Sequence, residues 1–316
     1  MRALVWNGVT AQVVDRPQPH GTADTAVVRV ALAGICNTDL ELVKGYMGFR
    51  GILGHEFVGT VEEGPADWHG KRVVGEINFA CGACDVCARG LRRHCPSRRV
   101  MGILNADGAF AEYVAVPVAN LHAVADRIDD TAAVFTEPLA AAFEILEQVD
   151  VVPAMDCLVL GDGKLGLLVA QVLHQAGGRV VLVGKHEAKL AIARQHGIVS
   201  RRVQDWNGAP ASLVVEATGS SVALAAAVAA TRPRGTLVLK STVAGAHSID
   251  LSPLVINEIT VVGSRCGPFV PALRALESGN IDVRPLISAQ RPLHDGVAAL
   301  QLAATPGVLK VVLSPA

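Results

Sequence analysis

The stretch that most constrains this chain runs from Glu76 to Pro96, E-I-N-F-A-C-G-A-C-D-V-C-A-R-G-L-R-R-H-C-P. Two residues separate Cys81 from Cys84 and Cys84 from Cys87, and seven separate Cys87 from Cys95. Four thiolates delivered by so short a loop can close a tetrahedron around one zinc ion. Gly82 and Gly90 let the backbone turn tightly enough to aim the sulfurs inward. Two other readings compete, four unrelated buried cysteines and disulfide pairing. The regular metal-ligand spacing weighs against the first, and the intracellular look of the rest of the chain against the second. A zinc enclosed by four protein ligands has no open position, so this site is structural and the chemistry lies elsewhere.

The chain's 316 residues suffice for two domains with real cores. A hydrophobic fraction of 51% against 18% charged excludes a disordered chain. Aromatic residues make up only 4%, so Val, Leu, Ala and Ile must fill the core, as in α/β sheets. A net charge of −1 points away from nucleic acid and from anionic membranes as partners. The opening M-R-A-L-V-W-N-G reads as a strand and not a signal peptide, and no apolar run reaches membrane-spanning length. Seven cysteines, four of them in one metal-like cluster, fit a reducing compartment, so a cytoplasmic location is expected.

Residues 1–35 alternate as strands, broken by Pro17, Pro19 and Gly21, and the second strand is expected to end at Cys36-Asn37-Thr38-Asp39. Gly54-His55-Glu56-Phe57-Val58-Gly59 follows. Cys36, His55 and Glu56 offer a thiolate, an imidazole and a carboxylate, the donors that zinc favours. Taken singly, such a cysteine is usually core and such a His-Glu pair a surface or capping pair; together with the downstream lobe they gain weight.

These motifs, with G-A-F-A-E-Y at 108–113, T-E-P-L-A at 136–140 and a glycine fingerprint at 161–166, occur in one order along essentially the whole chain. In this the chain resembles the zinc-dependent medium-chain alcohol dehydrogenase family. The resemblance implies that Cys36 and His55 are the first two catalytic zinc ligands, that Glu137 supplies the third, and that Glu56 is an exchangeable ligand. It implies that Thr38 accepts the substrate proton and that Asp39 orients His55. The bland reading of Thr38 is a hydroxyl bonded to local backbone. Glu41 stands where many members carry a relay histidine, which leaves the relay beyond Thr38 open. Tyr46, Met47 and Phe49 either line a substrate cleft or are ordinary packing.

From Asp156 the pattern changes. The apolar run C-L-V-L leads into G-D-G-K-L-G and then into a stretch of helical spacing. This strand-loop-helix context is what a dinucleotide fingerprint requires. Gly161 makes the turn, Gly163 admits the pyrophosphate, Gly166 packs helix on strand, and Lys164 and Leu165 open the helix. The next strand, Arg179 to Val183, ends at Gly184, where an NAD enzyme usually carries Asp or Glu. Its absence, with Lys185, His186 and Lys189 nearby, predicts NADP over NAD; the bland reading makes the lysines solvated helix-face charges. Strands are expected at 212–217, 236–241 and 259–264, with a helix over Ser220 to Ala230. Ala217, Thr218 and Arg265 fall at strand ends and are expected to border the nicotinamide.

A short helix over Pro271 to Glu277 and strands at 285–287 and 309–313 are expected to return to the first domain. The expected fold is α/β, a Rossmann doubly wound parallel sheet (141–266) inserted into a mainly β, GroES-like catalytic domain (1–140 and 267–316) with its zinc lobe at 76–96. The expected activity is hydride transfer between a small alcohol, polyol or sugar, or the matching carbonyl, and a nicotinamide cofactor. Two zinc ions per chain and a homodimer or homotetramer go with it. The competing class is a non-catalytic dinucleotide-binding member of the same fold; the presence of all three catalytic ligands weighs against it.

Overall fold

The computed structural model describes residues 1–241 and 249–315. The chain separates into two compact units, Met1–Glu137 with Phe269–Ala316, and Pro138–Pro268. The first unit is built on strands β1 (Thr25–Gly34), β2 (Glu56–Glu63), β3 (Arg72–Gly75), β4 (Tyr113–Pro117) and β5 (Leu121–Ala123). β1 reads T-A-V-V-R-V-A-L-A-G and buries Val27, Val28, Val30 and Leu32, each worth roughly 1.5–3 kcal/mol when removed from water. β2 lies antiparallel to β1, with Ala33 opposite Phe57 and Gly34 opposite Glu56. Between β1 and β2 the chain makes helix α1 (Asn37–Leu42). Cys36-Asn37-Thr38-Asp39 is therefore a helix start and not the end of a strand. The reason is local: the Asp39 carboxylate accepts the Cys36 backbone N–H at 2.8 Å and satisfies a donor at the helix entry.

Helix α2 (Thr136–Gln148) leads to the second unit. Its strands are β6 (Asp156–Leu160), β7 (Arg179–Gly184), β8 (Val199–Arg202), β9 (Ala211–Glu216), β10 (Thr231–Leu239) and β11 (Thr260–Gly263). Helix α3 (Lys164–Gln175) connects β6 to β7, α4 (Glu187–Gln195) connects β7 to β8, and α5 (Ser221–Ala229) connects β9 to β10. The sheet is wholly parallel in the order β8-β7-β6-β9-β10-β11. Numbered from β6, this is the 3-2-1-4-5-6 order of doubly wound dinucleotide folds. Leu158, Val159, Leu213, Val214 and Val215 are buried, as expected of central strands covered on both faces.

The chain then returns to the first unit through helix α6 (Phe269–Ser278) and strands β12 (Ile287–Pro292) and β13 (Lys310–Ser314). β13 pairs with β1, so the first unit's main sheet runs β5-β3-β2-β1-β13-β12, with β4 also on β1. The strand expected over 285–287 begins only at Ile287. Arg284–Leu286 is a short 3-10 turn, because Pro285 fixes a helical φ and cannot donate to a ladder. Among the described residues no helix is long and apolar enough to cross a membrane.

Candidate functional site

Among the described residues two groups of metal-ligand side chains form, both in the first unit. In the lobe, one sulfur each from Cys81, Cys84, Cys87 and Cys95 lies within 4.8 Å of the others. The Sγ–Sγ separations are 3.5 Å for Cys81–Cys95, 3.8 Å for Cys84–Cys95 and 4.0 Å for Cys81–Cys87. A tetrahedron with Zn–S bonds of about 2.3 Å has edges of about 3.8 Å, so the sulfurs already match the ion. Every cysteine is free of disulfide bonding, which sets that alternative aside. Gly82 and Gly90 carry φ of +77° and +78° and provide the tight turns their positions suggest. Backbone N–H groups of Ala83 and then Cys84 draw the Cys81 thiol down to about 6.

The second group joins Cys36, His55 and Glu56, again within 4.8 Å of one another. Cys36 precedes α1, and His55 and Glu56 stand where the chain enters β2. Asp39 has two tasks: one oxygen caps α1, and the other faces His55 Nδ1 at 3.3 Å. His55 is thereby turned so that Nε2 is the nitrogen left for a metal. Burial opposes charge on His55, but the carboxylate of Asp39 and the sulfur of Cys36 raise its pKa well above the usual histidine value. Glu56 is fully buried. Its Oε2 bonds the equally buried ammonium of Lys310, while Oε1 has no hydrogen-bond partner among the described residues. A buried carboxylate oxygen without a partner, beside a thiolate and an imidazole, suits a divalent cation.

Glu137 is set apart from this group. It lies in the first turn of α2, and its carboxylate is not among the donors within 4.8 Å. Thr38 is in the first turn of α1 with its hydroxyl 3.8 Å from Cys36 Sγ. Glu41, at the relay position, pairs with Lys44 at 2.8 Å. Of the three aromatic or sulfur side chains in the short segment that follows, Phe49 is buried and Met47 exposed.

In the second unit the fingerprint takes the expected form. Gly163 is the N-cap of α3, and space is open where its Cβ would be. A Cβ on Gly166 would lie 2.0 Å from the Gly161 carbonyl oxygen, so helix and loop touch there as only glycine permits. Lys164 and Leu165 are half-buried in the first turn of α3. Ala217 and Thr218 follow β9, where the buried Glu216 carboxylate accepts the backbone N–H of Thr218 at 2.6 Å and of Gly219 at 3.1 Å. Lys240, also buried, donates to the carbonyls of Ala141 and Arg265 and to the Ser264 hydroxyl, anchoring the turn that carries the exposed Arg265. These loops all leave the carboxyl ends of their strands, the edge at which such sheets bind dinucleotides.

At the strand end the structure adds a neighbour to Gly184. No carboxylate belongs to the strand end itself, but Asp162 of the glycine loop reaches it and accepts the backbone N–H groups of Lys185 at 2.7 Å and His186 at 2.6 Å. His186 Nδ1 lies 3.0 Å from the same oxygen, and Lys189 is buried. Two of the three cations expected for a 2′-phosphate are thus engaged or withdrawn. Sequence reasoning missed Asp162, although an acidic residue inside G-D-G paired with a glycine at the next strand end was a usable signal. It also missed Lys310, a lone cation inside the apolar run V-L-K-V-V-L.

Residues 22–126 match the alcohol dehydrogenase GroES-like domain, and residues 165–278 match the zinc-binding dehydrogenase domain. The chain is 30% identical to the L-threonine 3-dehydrogenase of Streptomyces coelicolor, over 99% of both chains. It is 27% identical to the sorbitol dehydrogenase of Halalkalibacterium halodurans, over 96% of this chain and 95% of that one. Among solved structures, the alcohol dehydrogenase of Thermus sp. ATN1 is similar with a TM-score of 0.89 and 28% identity, over 99% of each chain.

Proposed function

Because the chain belongs to the zinc-type medium-chain alcohol dehydrogenase family, as an oxidoreductase acting on hydroxyl groups with a nicotinamide cofactor, we propose that its substrate is a small alcohol, polyol or sugar. The observation that carries this reading is the set of half-buried Cys36 with buried His55 and Glu56, and Asp39 behind the histidine. Cys36 and His55 would hold a catalytic zinc, with Glu137 as third ligand and Glu56 as the exchangeable one. Zinc supplies Lewis acidity that lowers the pKa of a substrate hydroxyl. The protein does the rest. Asp39 keeps His55 in one tautomer, Lys310 restrains Glu56, and the Thr38 hydroxyl takes up the proton that the substrate loses. A nicotinamide held at the glycine loop would supply the acceptor for the hydride of the substrate carbon. Cys81, Cys84, Cys87 and Cys95 would hold a second, structural zinc.

The cofactor is bound by Gly161, Gly163, Lys164, Leu165 and Gly166, with Gly184, Lys185 and His186 toward the adenosine ribose and Ala217, Thr218 and Arg265 toward the nicotinamide. Gly184 alone argues for NADP; Asp162 beside it argues for NAD. The domains are a GroES-like catalytic part (1–140 and 267–316) and a Rossmann part (141–266). A homodimer or homotetramer is supported by the exposed edge strand β11 and by Leu251, Val255, Ile256 and Val261, all exposed. A cytoplasmic location fits the free cysteines.

The test combines metal analysis with a screen of alcohols, polyols and sugars using NAD and NADP. About two zinc ions per chain are expected from the ligand sets, and His55→Ala should lose one of them together with turnover while remaining folded. A His55→Ala variant that keeps wild-type turnover would refute the catalytic assignment.

A further inference from the structure

We propose that Asp162 determines which nucleotide this enzyme accepts, supplying from the glycine loop the carboxylate that strand β7 lacks and so selecting NAD against NADP. The inference rests on the dehydrogenase reading above and adds to it the residue that sets cofactor choice. It reverses the preference that Gly184 suggests when considered alone.

The geometry is that of a relocated group. In a sheet of this order the end of the second strand faces the adenosine ribose, and a carboxylate there accepts the 2′-hydroxyl. Here that strand is β7 and its last residue is Gly184. A Cβ on Gly184 would lie 2.4 Å from the Cβ of Asp162 and 2.6 Å from its Oδ2. The aspartate therefore fills the space that a strand-end side chain would use. Glycine at 184 and aspartate at 162 are two halves of one arrangement, and either alone is misleading.

The hydrogen bonds explain the exclusion. Successive backbone N–H groups at a strand end form a concavity suited to an anion. At this end the donors are the N–H groups of Lys185 and His186, and Asp162 Oδ2 takes both, at 2.7 and 2.6 Å. His186 adds its ring nitrogen, with Nδ1 3.0 Å from Oδ2 and 3.3 Å from Oδ1. A 2′-phosphate would find these donors occupied and would approach a carboxylate, a like-charge contact. Oδ1 has only the longer histidine contact and retains acceptor capacity for a neutral ribose hydroxyl. Lys185 and Arg202, the latter opposite Gly184 in the β7–β8 register, are further cations near this strand end. Both are solvent-exposed, where water and salt screen their attraction for phosphate.

The experiment is direct binding of NADH and NADPH, followed by nicotinamide fluorescence or calorimetry, with the metal-loaded protein and no substrate. Wild type should bind NADH at least about tenfold more tightly than NADPH. Asp162→Asn keeps the shape and removes the charge, and should shrink that ratio by about tenfold or more, consistent with losing one close like-charge contact. Moving the carboxylate back to the strand, Asp162→Gly combined with Gly184→Asp, should restore the preference for NADH. Circular dichroism and melting curves establish that each variant is folded, and the double variant keeps the test decisive should Asp162→Asn fold poorly. Wild type binding NADPH as tightly as NADH, or a ratio unmoved by Asp162→Asn, overturns this inference and leaves the dehydrogenase reading intact. Binding of neither nucleotide overturns both.

Discussion

Lys310→Met removes one half of an ion pair from which water is excluded. Lys310 and Glu56 are both 0% exposed, and they are 254 residues apart in sequence. They meet because β13 and β2 flank β1, and because Gly34 between them has no side chain. A Cβ there would lie 2.3 Å from Glu56 Oε2. Removing one member of such a pair leaves an uncompensated buried charge and costs about 3–5 kcal/mol. In the zinc-free protein the upper part of that range is expected, since Glu56 Oε1 lacks a hydrogen-bond partner among the described residues and the Lys310 ammonium also lies 5.4 Å from the Phe135 ring. For a unit of this size the corresponding fall in Tm is roughly 6–20 °C. Urea unfolding followed by the fluorescence of Trp6 and Trp68 reports on the first unit, and that of Trp206 on the second. The control is Glu56→Leu/Lys310→Met, which removes both charges and should lie much closer to wild type than the single variant, since apolar replacement of a whole buried pair is often neutral. A Lys310→Met protein within about 1 kcal/mol of wild type, or a double variant as unstable as the single, would refute the argument.

Asp156 lies between Arg179 and Arg232, each at 2.7 Å, and these partners, Arg179 first, hold its carboxyl below the usual carboxylate range. A lowered native pKa contributes stability above the unfolded value of about 3.9 and loses it as pH falls through the native value. Asp156→Asn should therefore cost about 1 kcal/mol or less at pH 7, with the deficit closing below about pH 4 and in high salt; a deficit independent of pH would contradict this. Cys157 is 1% exposed, and burial pushes its thiol up to about 11. At pH 8 iodoacetamide should leave Cys157 unmodified in the native protein, whereas chelator treatment should expose the lobe cysteines, Cys81 foremost, as read by mass spectrometry. Labelling of Cys157 in the folded protein at the rate of Cys81 would overturn the assignment.

Features set by contiguous residues were legible in the sequence. The spacing of Cys81, Cys84, Cys87 and Cys95, with two glycines to turn the loop, already prescribed a tetrahedral sulfur cluster. The apolar run before G-D-G-K-L-G and the helical pattern after it likewise prescribed a strand, a tight loop and a helix, because backbone geometry and burial act locally there. Where local signals competed, the shorter-range one won: Asp39 turned an expected strand end into a helix start by capping it. Side-chain partners across the sheets were decided by the tertiary structure alone. Asp162 and Gly184 share one space because parallel pairing of β6 with β7 brings a loop and a strand end together. Lys310 neutralises Glu56 because a strand from the far end of the chain is laid against β1. The strength of such contacts depends on distance and on exclusion of water, and both come into being only when the sheets assemble.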